Sequence, residues 1–160
     1  MHFAAQVWRF QRKLERQCRE ALCWHSISNG GPAWEELTED HRNANRASAD
    51  HMDVKLRAIS ALRVISKDMA AEPFAFTGAE VELLEKMEHR RWCTERWLAG
   101  WVFGPRDDER KYHPSLIPWE ALSESEREKD REQVRNVLAV LSGAGFAIVR
   151  QPQATGQKVG

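Results

Sequence analysis

Trp92 and Arg96 lie four residues apart in a stretch whose other residues favour a helix. Residues at i and i+4 share one face of a helix, so the indole and the guanidinium would point the same way. A nucleobase can stack on an indole, and a guanidinium can donate paired hydrogen bonds to a phosphate. The same spacing also gives an ordinary cation–π contact on a protein surface. The pair is therefore either part of a nucleotide site or a surface contact.

A second set of polar residues lies in NRASADHMDVK, residues 45–55. Asn45 or Asp50 could bond a ribose or a base edge, and Arg46 or Lys55 could bond a phosphate. Small residues at positions 47–49 would leave room for such a ligand. The alternative is a solvated helix face with ion pairs within the helix.

The loop GWVFGPRDDERKYHP, residues 100–114, is rigid by composition, because Gly-Pro and His-Pro stiffen it on both sides. We expect it to be mainly a scaffold, whose aspartates cap backbone amides or pair with neighbouring cations. Its large apolar side chains would pin it onto the helices: Trp101, Phe103, Leu116 and Trp119. The functional alternative places Lys111, Tyr112 or His113 at the rim of a pocket.

The elements that must position these residues are helices. Thr38 is a plausible N-cap for a helix through about Ser60, and residues 62–66 are typical of a short strand. An earlier amphipathic helix is predicted from Phe3 to about Trp24, ended by SISNGGP at residues 26–32.

The second half repeats this order. Thr77 and Glu80 form a capping box for a helix that ends at Gly100. Ser123 and Glu126 form another, for a helix to about Ser142 that is followed by a strand at residues 146–150. The predicted buried side of the first of these helices comprises Val81, Leu84, Met87, Arg91 or Trp92, Cys93 or Trp97, and Leu98.

An internal repeat relates the two halves. WEELTEDHRNANR at residues 34–46 matches WEALSESEREKDR at residues 119–131 without a gap, at a constant offset of 85 residues. The prediction is a mainly α-helical chain of two helical-hairpin units related by a pseudo-twofold axis, each with a short strand. The first unit would span residues 1–66 and the second 77–150, with a linker at 67–76 and a disordered tail at 151–160.

Composition limits the classes of function. The 160 residues contain 24 Lys and Arg and 24 Asp and Glu, so no net field favours a nucleic acid polymer or an anionic membrane. No run of 18 apolar residues predicts membrane insertion. Three cysteines are typical of free thiols in a reducing compartment, so we expect a cytoplasmic protein.

Catalytic and metal motifs are also weak. The sequence has no Gly-rich phosphate loop, no His-Glu-x-x-His and no nucleophile elbow, so we expect neither an enzyme nor a cofactor. Cys18, Cys23 and His25 lack the second pair of ligands that a zinc site requires. Glu88 and His89, beside Arg90 and Arg91, are expected to form ion pairs on an exposed face.

The second unit resembles the ryanodine receptor (RyR) repeat, a small helical domain found in pairs in animal calcium-release channels and also in bacterial proteins. The resemblance covers residues 80–150 and rests on EHRRW, AGWVFGPRDDERKYHP, LIPWEAL, EKDR and VLSGAGFAI. The first unit is similar to an abbreviated, bacterial form of the repeat through PAWEEL and NRASADHMDVKLRAI.

The resemblance implies a regulatory module that senses a ligand. In the animal channels, paired repeats form a cleft for adenine nucleotides, lined by a Trp, an Arg one turn later, and polar residues of the second helices. In this sequence the matching positions are Trp92, Arg96, Asn45 and Asp130. The first unit offers Leu22 or Trp24 where a second stacking aromatic is expected.

The expected function is binding of a small anionic, adenine-nucleotide-type ligand between the two units, with the change passed to a fused or associated effector or channel. A non-enzymatic protein interaction module or scaffold is the alternative, and an enzyme is a third class.

Overall fold

In the computed structural model, residues 34–65 and 74–152 are described. They form four α-helices: α1 (Glu39–Asp50), α2 (Met52–Ala58), α3 (Gly78–Leu98) and α4 (Glu124–Gly143). The strands are β1 (Ala61–Ile65), β2 (Val102–Phe103), β3 (Tyr112–His113) and β4 (Phe146–Arg150). Single turns of 3₁₀-helix at Trp34–Glu36 and Trp119–Ala121 precede α1 and α4. The fold is mainly α-helical with short strands, as predicted, and within these residues no helix is long and apolar enough to cross a membrane.

The helix starts follow from their capping residues. Thr38 Oγ1 accepts a hydrogen bond from the amide of His41, which confirms it as the N-cap of α1. Thr77 and Glu80 form the predicted capping box, with both reciprocal bonds present. At α4 only half of the predicted box forms: Ser123 Oγ accepts from the Glu126 amide, whereas the Glu126 carboxylate binds Ser115 and Lys129 instead. These partners draw Glu126 away from the helix start.

Two small sheets complete the fold. β1 and β4 pair antiparallel, with Ala61 opposite Arg150 and Ile65 opposite Phe146. β2 and β3 form a second, parallel pair inside the loop between α3 and α4. Since β1 precedes α3 and β4 follows α4, the larger sheet joins the two parts of the chain.

One apolar core unites both parts. It contains Met52 and Leu56 of α2, Leu84 of α3 and Val134 and Leu141 of α4, with the inward faces of both strands of the larger sheet. Leu84, Val134 and Leu141 have no exposed surface. Burying side chains of this size supplies roughly 1.5–3 kcal/mol each, so this core holds the helices together.

The repeated segments make the same contacts. Arg42 donates from Nε to the Trp34 carbonyl at 3.1 Å, and Arg127 donates from Nε to the Trp119 carbonyl at 3.3 Å. Each guanidinium also lies against the indole of the same tryptophan, at 6.0 and 5.6 Å from the ring centre. The offset of 85 residues persists through the strands, since β1 and β4 begin and end at equivalent positions.

Several helix predictions need correction. The helix expected from Thr38 to Ser60 is divided at His51 into α1 and α2. The face of α3 is also different, because Trp97 and Leu98 are exposed while Glu85, Glu88 and His89 are buried. The sequence pattern hides this face, since its charged residues are paired with residues from other elements.

The remaining expectations concern residues that are not described. The predicted helix at residues 3–24, the break at 26–32, and Cys18, Cys23 and His25 lie outside the described residues. So do Leu22, Trp24, and most of the predicted linker and tail.

Candidate functional site

A cleft of about 880 Å³ lies between α1 and the elements that follow β1. One wall is α1, and the other walls are α3, the loop that follows it, and α4. Trp92, Arg96, Asn45 and Asp130 all line this cleft. Its volume is in the range of small-molecule sites. Residues from three separate parts of the sequence thus meet at one concave surface.

Among the described cations of the cleft, Arg96 is the one that forms no ion pair. Its guanidinium lies 5.9 Å from the centre of the Trp92 indole and 5.0 Å from that of Trp101. Its Nε is buried without a hydrogen-bond partner, and among the described residues no carboxylate pairs with its side chain. The two rings contact the guanidinium, and its donors form no hydrogen bond with the described residues.

Trp92 belongs to an aromatic cluster. The His89 ring stacks on it at a centroid distance of 6.0 Å, and the His113 ring meets it edge-on at 4.8 Å. Trp101 also contacts the His113 ring, at a centroid distance of 6.2 Å. Trp92 is half-buried, so these neighbours fix the indole while part of it stays exposed in the cleft.

Asp130 holds His89 as an imidazolium. Its Oδ2 lies 3.2 Å from Nδ1 of His89, and the opposite ring nitrogen lies 2.8 Å from the Ile117 carbonyl. Burial by itself would lower the pKa of His89, but the hydrogen bond to Asp130 and those to Cys93 and Ile117 raise it to about 10. The Asp130 carboxylate therefore pairs with this ring and fixes its position.

Lys55 lies outside the cleft lining. Only 2% of it is exposed, and its Nζ lies 2.5 Å from Oε2 of Glu88, which is equally buried. Arg91 binds the same carboxylate through Nε and Nη2, and reaches Glu95 with Nη1 at 2.7 Å. Burial would raise the pKa of Glu88, but the cations Lys55 and Arg91 hold it at about 2. Glu88 and His89 thus form buried interactions instead of the exposed ion pairs expected from sequence.

The loop contributes one residue of the predicted trio to the cleft. His113 lines it, and its Nε2 lies 2.9 Å from Nη1 of Arg106. Burial and then the charges of Arg106 and Arg96 lower the pKa of His113. Lys111 instead donates to the Ala99 carbonyl at the end of α3, and the Tyr112 ring packs over Gly104. Both residues stabilise the loop and do not line the cleft.

The α1 candidates are divided. Asn45 faces the cleft, and its side chain forms no hydrogen bond with the described residues. Arg46 lies against the Trp34 ring and pairs with Glu39 through Nη1, and it does not line the cleft. Asp50 is exposed at the end of α1 and does not line the cleft. Asn45 is therefore the α1 candidate that the fold brings to Trp92 and Arg96.

Carboxylates outnumber cations along the cleft. α1 provides one, α3 two, the loop one and α4 three: Asp40; Glu88 and Glu95; Asp108; Glu126, Asp130 and Glu132. Arg91, Arg106, Lys129 and the His89 imidazolium each have an acidic partner, so their charges are balanced within the protein. No group of three or more metal-ligating side chains occurs in the described part of the chain.

The RyR domain family model matches residues 78–150. The segment of residues 78–150 is thus recognised as an RyR domain. The match begins at the first residue of α3 and ends at the last residue of β4, so the RyR domain comprises both long helices, the loop between them and the final strand. It supplies Trp92, Arg96, Asp130 and His113, whereas Asn45 reaches the cleft from the preceding segment.

Sequence reasoning missed three features of the cleft. It did not find the clamp of Arg96 between two indoles, the salt bridge of Lys55 with Glu88, or the bond of Asp130 with His89. The first had a signal, because Trp101 follows Arg96 by five residues across the helix end marked by Gly100. The other two join residues 33 and 41 positions apart, for which a single sequence offers no local pattern.

Proposed function

We propose that this RyR-domain protein is a regulatory module that binds a small anionic ligand of the adenine-nucleotide type in the cleft. The observation that carries the proposal is Arg96, a guanidinium fixed between two indoles with no hydrogen-bond partner for its Nε. A guanidinium held in this way can donate hydrogen bonds to an anion such as a phosphate, and a nucleobase can stack on the adjacent Trp92 ring. The amide of Asn45, on the opposite wall, is available for a base edge or a ribose hydroxyl.

Sensing would follow from the position of the cleft. A ligand that touches Asn45 and Arg96 bridges α1 and the RyR domain, so it favours the arrangement in which both walls are in reach. Glu88 of the RyR domain already pairs with Lys55 of α2, the helix that follows α1. The module would pass this preference to a fused or associated effector or channel in the cytoplasm, without catalysing a reaction.

The proposal includes a pseudo-twofold relation between the two units. The strand ladder supports it, because Arg63 pairs with Ile148, the residue 85 positions later that is its own equivalent. Asn45 and Asp130 are equivalent in the same way and line the same cleft. A cleft between two related units would hold one ligand per chain.

Calorimetric titration with ATP, ADP-ribose and a cyclic dinucleotide tests the proposal. At least one should bind saturably, with one site per chain, and Trp92→Ala and Arg96→Ala should weaken it. Stacking contributes about 1–3 kcal/mol per base, so Trp92→Ala should cost roughly 5- to 150-fold in affinity.

Matched controls come from the same helix. Trp97→Ala and Arg90→Ala remove an exposed indole and an exposed guanidinium that do not line the cleft, so both should bind as the wild type does. Equal losses in the site and control variants would refute the assignment, as would a wild type that binds neither these three ligands nor a nucleotide with a single phosphate. Recovery of unchanged ligand after incubation checks the expectation that the protein is not an enzyme.

An interaction module is the second candidate, favoured by apolar residues exposed near the end of α3. Leu98 is 85% exposed and Phe103 64%, with Trp97 beside Leu98 in the sequence. Exposed apolar surface of this kind is typical of protein contacts. If the cleft binds no nucleotide, cross-linking of the wild type and a Phe103→Ser variant to a fused or co-encoded effector would test this candidate, and equal cross-linking would count against it.

A further inference from the structure

Among the cleft residues that the structure describes, one cation forms no ion pair and can meet a ligand charge. Arg91 is held by Glu88 and Glu95, while Arg106 is held by Asp108 in a two-point contact at 2.6 and 3.2 Å. The ammonium of Lys129 lies 2.6 Å from Glu126. Among the described residues that line the cleft, Arg96 is the guanidinium or ammonium group that forms no ion pair, and its charge contributes to the lowered pKa of the nearby Asp108.

The opposite charge is in excess on the same walls. Asp40 on α1 and Glu132 on α4 line the cleft, and neither forms an ion pair with a described residue. Like charges in a concave site reinforce one another, because the low-dielectric walls focus their field. A ligand that carries several negative charges would be attracted by one guanidinium and repelled by two carboxylates that have no ion-pair partner among the described residues.

We infer that the ligand of this cleft presents a single phosphate, as a cyclic nucleotide or a nucleoside monophosphate does, and that polyphosphate chains are disfavoured. This inference rests on the proposed nucleotide-binding function and specifies its ligand class. Arg96 reads the one phosphate with paired donors, and the carboxylates of Asp40 and Glu132 reject additional charge. The monoanionic phosphodiester of a cyclic nucleotide fits best, because a terminal monoester carries about 1.5–2 negative charges at pH 7.

A ligand series with one base and increasing charge tests the inference. Adenosine, cyclic AMP, AMP and ATP are titrated calorimetrically at fixed ionic strength without magnesium. Cyclic AMP should bind at least tenfold more tightly than both adenosine and ATP, with AMP between cyclic AMP and ATP. Arg96→Gln should abolish the advantage of cyclic AMP over adenosine, and Arg90→Gln, which changes an exposed residue outside the cleft, should preserve it.

A gain-of-binding variant provides an independent check. Asp108→Asn frees Arg106 at an exposed position of the loop, where the substitution should leave folding intact. It should improve ATP binding several-fold and change cyclic AMP binding less.

The possible failures are distinguishable. ATP binding as tightly as cyclic AMP to the wild type would overturn the single-phosphate inference and leave nucleotide binding in place. If Arg96→Gln weakened the binding of cyclic AMP and of adenosine by the same factor, this result would also overturn the inference. The absence of binding by all four compounds would remove the proposed function, and the inference with it.

Discussion

Residues 34–65 and 119–150 have the same local structure at both ends but differ between them, where the helix of the first segment is divided at His51 and that of the second is continuous. The same offset relates their N-caps, their arginine–tryptophan contacts and their strands. They differ where they face the rest of the molecule: Asn45 corresponds to Asp130, and Lys55 corresponds to Val140. Local elements are thus shared, and the specialised chemistry lies in a few facing positions.

The difference assigns separate tasks to the two segments. Asp130 fixes an imidazolium beside Trp92, whereas Asn45 keeps its hydrogen-bonding groups open. Val140 is an ordinary core residue, whereas Lys55 neutralises Glu88 of the RyR domain. We therefore expect substitutions that make one segment like the other to have effects of very different size.

The largest effect is expected from Lys55→Val, which introduces the residue found at position 140. Removing one partner of a buried ion pair typically costs 3–5 kcal/mol, and because Arg91 still binds Glu88 we expect about 3 kcal/mol. Urea denaturation measures this change. Arg57→Val, an exposed neighbour on α2, should cost less than about 0.5 kcal/mol, and similar losses in the two variants would contradict the buried-pair reading.

Asp130→Asn makes the second segment like the first and should change the pH dependence of stability. In the wild type the pKa of His89 is raised to about 10, so its contribution is complete below about pH 6.5 and is lost as the pH rises toward 10. The variant should lose roughly 2 kcal/mol near pH 6, the size of a hydrogen bond to a charged group, and should show little of this alkaline loss.

Urea titrations between pH 6 and 10, with NMR titration of the His89 ring, would measure both effects. Glu132→Gln alters an exposed carboxylate of the same helix and should keep the wild-type profile. Persistence of the alkaline loss in Asp130→Asn would show that another group causes it.

The two N-caps should contribute equally to the free energy of unfolding. Thr38→Ala and Ser123→Ala each remove one side-chain bond to a helix amide and should each cost about 1 kcal/mol. Thermal unfolding measures the loss of stability in each variant, and Ser142→Ala, at an exposed position, is the control. A severalfold difference between them would break the local equivalence of the segments.

The smallest effect is expected where both segments turn into their strands. Ser60 has a φ of 53° and its equivalent Gly145 a φ of 80°, a region that favours glycine. Ser60→Gly should be neutral or stabilise the protein by up to about 1 kcal/mol, while Gly145→Ser should destabilise it by a similar amount. Chemical denaturation measures the free energy of unfolding of both variants. A loss of stability in Ser60→Gly or a gain in Gly145→Ser would show that side-chain contacts outweigh the backbone preference.

Local patterns predicted much of this fold. Thr38, the Thr77–Glu80 box and Gly100 marked helix ends correctly because capping depends on residues within one turn. The repeated WE-x-L pattern identified two segments that indeed share their contacts. The strands were placed within one residue for the same local reason.

The buried face of α3 could not be predicted in this way. Glu85, Glu88 and His89 are polar, and polar residues are assigned to solvent unless a partner is known. Their partners Arg131, Lys55 and Asp130 come from other elements. The same limit applies to the candidate site: the resemblance brought Trp92, Arg96, Asn45 and Asp130 together, and the structure determined which of them already have partners.

The strand ladder also bears on the order of folding. Its paired residues are 81 to 89 positions apart in sequence, whereas helix contacts are local. Closing so long a loop is entropically costly, and contacts at such separation slow folding. We expect α3 and α4 to associate first and β1 to join β4 late, which makes β1 the first strand to detach when the protein begins to unfold.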